Sequence, residues 1–125
     1  MDYRFRWTDR LHRQREFSTV IQKGRRYTAS GLIVWIYRHA ETVSTGPRMG
    51  LAVPRTYGNA VARNRLKRLL REIFRLNKAV LPAGVDMVFS ARPMPPGMRY
   101  QTLELIVKHL WTKAHLLPSS DPGPS

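Results

Sequence analysis

The stretch GNAVARNRLKRLLREIFRLNK, residues 58–78, constrains the fold more than any other part of the chain. Ala62, Leu66, Leu69, Leu70, Ile73 and Phe74 recur at the spacing of one helical stripe, and such a stripe must be covered by another layer of protein. Asn59, just after Gly58, can cap the helix, and Pro82 and Gly84 mark its exit. Lys67, Arg68, Arg71, Arg75 and Lys78 fall on the opposite side, with Arg65 near its border. Six basic residues lie between Arg63 and Arg75 against one acid, Glu72. Lys67, Arg71 and Arg75 are like-charged neighbours at i, i+4 spacing, which destabilises a helix by a few tenths of a kcal/mol per pair. A helix of this kind needs its apolar side buried and its basic side facing something negative.

The flanking segments supply the cover. The spacing of Leu11, Phe17, Val20 and Ile21, stopped by Gly24, predicts a helix over 14–23. A brief edge strand is expected over 27–29, and LIVWIYR predicts a strand over 32–38. AETVSTGP reads as a hairpin loop, followed by a strand over 48–53 that Pro54 ends. VDMVFSA gives a third main strand over 85–91, RPMPPGM a proline-rich turn, and YQTLELIVKHLWTKAHLL a closing helix. The order predicts an α+β sandwich: a small mixed sheet of about four strands packed with three helices. Strand 48–53, the basic helix and strand 85–91 form a β-α-β candidate. One domain is expected over residues 1–116, with 1–9 flexible, and a disordered tail over 117–125.

Composition narrows the function. The chain has 125 residues, 42% of them hydrophobic, enough for one core. Its formal charge is +14 and its pI about 11.4, so a polyanion would relieve its self-repulsion; nucleic acid is the first candidate and an anionic membrane surface the second. Arginine outnumbers lysine 17 to 5, and its planar fork matches phosphate oxygens. There is no cysteine, hence no thiolate metal site. No apolar run reaches the ~20 residues of a membrane span, and the N-terminus lacks the apolar stretch of a secretory signal, so a cytoplasmic protein is expected. The carboxylates Asp2, Asp9, Glu16, Glu41, Glu72, Asp86, Glu104 and Asp121 form no D-x-D or E-x-x-H pattern. His12, His39, His109 and His115 never take the i, i+4 spacing of a helical zinc pair. No metal bound by the protein and no small-molecule substrate are expected.

In LIVWIYR, Ile33, Trp35 and Tyr37 project to one face and Leu32, Val34 and Ile36 to the other. An aromatic pair beside a basic helix is an arrangement that stacks single-stranded bases. It is equally an ordinary core face, and the residues alone leave Trp35, Tyr37 and Phe17 open between the two. Trp7 and Trp111 read as packing residues. Asn64 lowers helix propensity and suits either an RNA contact or a local backbone bond.

The run GNAVARNRLKRLLREIFR resembles the signature of the bacterial ribonuclease P protein component: Gly-x-Ala-Val, then Arg-Asn-Arg, a Lys-Arg pair and a further Arg. The resemblance takes in REFSTVIQKGRR, MGLAV, DMVFSARP and the final helix, about residues 10–116. It implies a protein cofactor of a catalytic RNA that removes the 5′ leader of precursor tRNA by endonucleolytic cleavage, giving the mature 5′ end. It implies a left-handed β-α-β crossover, against the general right-handed rule. Contacts to the RNA subunit would fall to Arg63, Asn64, Arg65, Lys67, Arg68 and Arg71, and a leader-binding cleft would be lined by Phe17, Ile21, Trp35 and Ala52. Mg²⁺ would be held mainly by the RNA subunit, and no protein side chain would serve as nucleophile or base. The sequence departs from the family pattern in three places. Pro54-Arg55-Thr56-Tyr57 keeps one base where lysines are common, Ile21 stands where a second aromatic is common, and Trp35 replaces a tyrosine.

Three other readings are weaker. A structural ribosomal protein would share the charge and size but not the whole signature. A DNA reader lacks a second helix placed for a helix-turn-helix and a dimer seam. A metal-dependent nuclease acting alone lacks the carboxylate cluster.

Overall fold

The structure, a computed structural model, describes residues 5–39, 46–95 and 97–117. The chain runs α1 (Gln14–Lys23), β1 (Arg25–Ala29), β2 (Leu32–Arg38), β3 (Arg48–Leu51), α2 (Ala60–Asn77), β4 (Val85–Ala91) and α3 (Tyr100–Lys113). This is the expected α+β arrangement of three helices on a four-stranded mixed sheet. The expected tail lies outside the described residues except for Leu117, which packs against the core.

Strand order is β1-β2-β4-β3, with β2/β4 antiparallel and β3/β4 parallel. The expected hairpin between β2 and β3 is therefore absent: β4 lies between them, and residues 40–45 of that loop lie outside the described residues. The reason is burial. All seven residues of β4 are buried, so it takes the interior position that hydrogen-bonds on both edges. β3 stops at Leu51, although the Ala52 N–H still donates to the Phe89 carbonyl at 2.9 Å. β1 is longer than expected because a two-residue turn pairs it with β2 from Arg25↔Ile36 to Ala29↔Leu32. Ser30 and Gly31 carry φ of 52° and 90° there, the positive values that a tight hairpin turn requires.

One sheet face packs on α2 and α3. Leu66, Leu70, Ile73 and Phe74 of α2 and Leu103, Val107, Leu110 and Trp111 of α3 meet Leu32, Val34, Ile36, Met87 and Phe89. Each such side chain contributes about 1.5–3 kcal/mol through burial. The Trp111 indole N–H donates to Met87 Sδ at 3.3 Å, so the core tryptophan satisfies its polar end. Asn59 caps α2 by accepting the Ala62 N–H at 2.8 Å. The other sheet face carries α1, whose Val20 packs with Leu11 and Val88 and with the half-buried Phe17, Trp35 and Tyr37.

Residues 5–9, expected to be flexible, are tied to this frame. Phe5 meets Phe74 edge-on at 5.9 Å, Asp9 forms an ion pair with Lys78 at 2.7 Å, and Arg10 bridges Met49 along the outer edge of β3. Trp7, expected as a packing residue, is instead 74% exposed.

Candidate nucleic-acid interface

The register across the α1 face places the chemistry in rows. Arg26, Trp35, Val88 and Gly50 stand side by side across β1, β2, β4 and β3. Gly50 lies beneath the Phe17 ring: a Cβ there would stand 2.5 Å from two ring carbons. The missing side chain thus lets Phe17 lie close on the sheet, next to Trp35 in the same cluster. Ile21 sits one helical turn beyond Phe17 and is 37% exposed. Ala52, just past β3, is exposed. Phe17 and Trp35 are half-buried against the Leu11–Val20–Val88 cluster in the trough where α1 meets the sheet, and Ile21 and Ala52 are exposed.

A charged row holds α1 in place. Asp86, buried to 3%, accepts from Arg48 Nε at 2.9 Å and Nη2 at 2.7 Å, and its Oδ2 lies 2.6 Å from His39 Nε2. Arg48 also donates to Glu16 Oε2 at 3.0 Å, while Glu16 Oε1 accepts the His12 and Arg13 N–H groups that begin α1. The bidentate bond to Asp86 raises Arg48 above its ordinary pKa. The backbone bond from Arg13, with help from His12 and Arg48 and against burial, holds Glu16 below the ordinary carboxylate value. Glu16 thereby caps α1 and bolts it to the sheet one residue before Phe17.

The basic residues of α2 divide into two sets. Asn64, Arg65 and Arg68 are exposed, and the Asn64 side chain makes no hydrogen bond among the described residues, so the local side-chain-to-backbone bond is not formed. Arg63 is partly buried and donates to the Gly58 carbonyl at 2.7 Å. Lys67 and Arg71 turn inward and line a cavity of about 160 Å³ with Phe5, Arg10, Leu11 and Phe17. Burial and then the nearby Arg10 charge lower the Arg71 pKa. Two basic residues expected on the free face are engaged within the protein: Arg75 with Glu72, and Lys78 with Asp9.

The structure therefore joins two groups that the sequence keeps apart. Phe17 of the trough and Lys67 and Arg71 of the signature helix share one cavity. The sequence reading does not single out Arg10, Phe5 or Gly50; a glycine inside a strand run is the signal that could have flagged the last. No group of three or more His, Cys, Asp or Glu side chains that could hold a metal converges among the described residues, and none of their helices is long and apolar enough to cross a membrane.

Comparison with known proteins agrees with this frame. The family model described as Ribonuclease P matches residues 5–115. The chain is 37% identical over 105 residues to the ribonuclease P protein component of Finegoldia magna, covering 84% of this chain and 89% of that one. It is 35% identical over 109 residues to that of Clostridium kluyveri, covering 86% and 95%. Among solved structures, the Staphylococcus aureus RNase P protein superposes with a TM-score of 0.76 at 25% identity, covering 87% of this chain and 97% of that one. The Thermotoga maritima RNase P protein does so with a TM-score of 0.69 at 29% identity, covering 83% and 96%. With the fold, the signature helix and nearly the whole length in agreement, the chain belongs to the ribonuclease P protein component family.

Proposed function

We propose that this chain is the RNA-binding protein subunit of a cytoplasmic ribonuclease P, which grips the 5′ leader of precursor tRNA while its signature helix docks on the catalytic RNA. The observation that carries the reading is the junction of the two surfaces: Phe17 lies against Gly50 in the cluster that holds Trp35, and Lys67 and Arg71 of the basic helix line the same open cavity as Phe17. Exposed Asn64, Arg65 and Arg68, with Arg63 behind them, offer donors to the phosphates and ribose of the RNA subunit. Trp35 and Phe17 offer stacking faces to splayed leader bases, and Ile21 and Ala52 give an apolar border that lets the strand lie close.

The protein's share of the reaction is binding, orientation and charge neutralisation. The cationic rim lowers the repulsion between two RNAs, and the trough fixes the leader so that its junction with the tRNA body meets the RNA subunit. Mg²⁺, in this reading, is held by the RNA subunit and supplies the activated water there. No side chain of this chain is assigned as nucleophile, acid or base.

The test is reconstitution. The RNase-free chain alone should leave precursor tRNA intact, and adding the RNA subunit and Mg²⁺ should give cleavage at the mature 5′ end. Holoenzyme carrying Trp35→Ala should lose about 1–3 kcal/mol of affinity for leader-bearing precursor and almost none for mature tRNA. Equal losses for both, with early melting, would show Trp35 to be core alone and overturn the trough as the leader site.

A further inference from the structure

Trp7 is the one aromatic side chain among the described residues that lies exposed; it presents 74% of its surface, whereas Trp111 presents none. It is not loose. One indole face stacks on the His12 ring at 3.5 Å with planes 19° apart, and His12 Nε2 donates to the Trp7 carbonyl at 2.8 Å. The turn that carries it, Trp7–Asp9, is closed by Asp9 Oδ2 accepting the Arg6 N–H at 2.7 Å. Asp9 is in turn clamped by Lys78, the residue just after α2, at 2.7 Å. The frame thus holds a flat, open π face in a fixed direction.

The surroundings select what can lie on that face. Phe5, Arg6 and Thr8 line the hollow around the indole, and Arg10 and Arg13 follow along the chain. Among the described residues, the neighbouring carboxylates in sequence, Asp9 and Glu16, are both engaged in ion pairs. Phe5 is shared between this hollow and the cavity of Arg10, Lys67, Arg71 and Phe17, so the indole continues the basic strip that begins at the trough. An apolar protein partner would call for further exposed apolar side chains beside the indole, whereas among the described residues the hollow adds only the half-buried Phe5 to the exposed Arg6 and Thr8. A planar base attached to a phosphate backbone fits both the face and the charge.

We propose that Trp7, backed by His12, is a stacking platform for an unpaired RNA nucleobase, separate from the Phe17–Trp35 trough. The inference rests on the RNA-binding reading above, and the base could come from the RNA subunit or from the leader of precursor tRNA. Three measurements on the full chain separate these: affinity for the RNA subunit, affinity of the reconstituted holoenzyme for precursor and for mature tRNA, and affinity for a mixed-sequence single-stranded RNA of about ten nucleotides. Trp7→Ala should weaken RNA binding by roughly 5- to 150-fold, as expected for loss of one stacked base, with an unchanged melting temperature. Trp7→Phe, which keeps a ring, should recover most of the loss. A loss against the RNA subunit assigns the base to that partner; a loss confined to precursor assigns it to the leader. Affinities within two-fold of wild type in all three arms, equal losses for Trp7→Phe and Trp7→Ala, or a loss that tracks a fall in melting temperature would overturn the platform. Failure of the unaltered chain to bind the RNA subunit would instead overturn the proposed function, and the ten-nucleotide RNA would still decide the fate of Trp7.

Discussion

Replacing Gly50 by alanine should destabilise this protein, against the usual trend. Glycine in a strand costs about 0.5–1 kcal/mol relative to alanine through the freedom of the unfolded chain, so the substitution starts with a gain of that size. At Gly50 the added Cβ would stand 2.5 Å from Phe17 Cε2 and Cζ and 3.3 Å from Leu11 Cδ1. Carbon–carbon contact is comfortable at about 3.5–4.0 Å, so the ring must retreat by roughly 1 Å. It cannot do so freely. Phe17 hangs from α1, which Glu16 and Arg48 bolt to the sheet, and its ring packs on the Leu11–Val20–Val88 cluster. Overpacking of this kind costs about 1–3 kcal/mol, leaving a net loss of about 0.5–2 kcal/mol and a melting temperature lower by several degrees. Urea and thermal unfolding of wild type, Gly50→Ala, Phe17→Ala and the double variant check the cause. With the ring removed, the alanine should be neutral or stabilising, so the cycle should show a coupling of about 1–3 kcal/mol. A stabilising Gly50→Ala in the wild-type background, or the same change in both backgrounds, would refute the close seating of Phe17 on the sheet.

Asp86→Ala should cost about 3–5 kcal/mol, because it strips a partly buried Arg48 of its bidentate partner; chemical denaturation reads the loss, and a cost below 1 kcal/mol would contradict the network. Burial, then the bond to Glu104, pushes Tyr100 up to about 12. The folded state therefore holds that proton more tightly than the unfolded chain, and the stability it contributes is complete below about pH 10 and lost as pH rises toward 12. Unfolding measured across that window should fall more steeply for wild type than for Tyr100→Phe, and parallel curves would dismiss the effect. Arg65→Ala with Arg68→Ala should weaken binding to the RNA subunit and flatten its salt dependence by roughly 0.7–0.9 per lost phosphate contact. Arg25→Ala with Arg26→Ala on the edge strand should do less, and equal losses would deny the signature helix a special role.

The elements whose signal is local were legible in the sequence. The stripe of Leu66, Leu70, Ile73 and Phe74 with its Asn59 cap marks α2, the spacing of Phe17 and Val20 before Gly24 marks α1 at Gln14–Lys23, and the apolar runs mark β2 and β4 to the residue. The alternation in β2 also separates Trp35 and Tyr37 from the main core, because pleating sends neighbours to opposite faces. What remained hidden depends on pairs far apart in the chain. Nothing near β2 or β3 announces that β4 will enter between them; that follows from which strand buries both faces once the helices pack. The meeting of Phe17 with Gly50, of Arg48 with Asp86 and Glu16, and of Lys78 with Asp9 likewise has no local pattern. The same holds for Trp7, whose hydrophobicity suggests burial until the turn that carries it is anchored outside the sheet edge. Periodicity records which side of an element must leave water, since that is decided within a few residues. Which two sides then meet is decided only when the whole core closes at crystal-like density, and that closure brings the trough and the basic helix to one cavity.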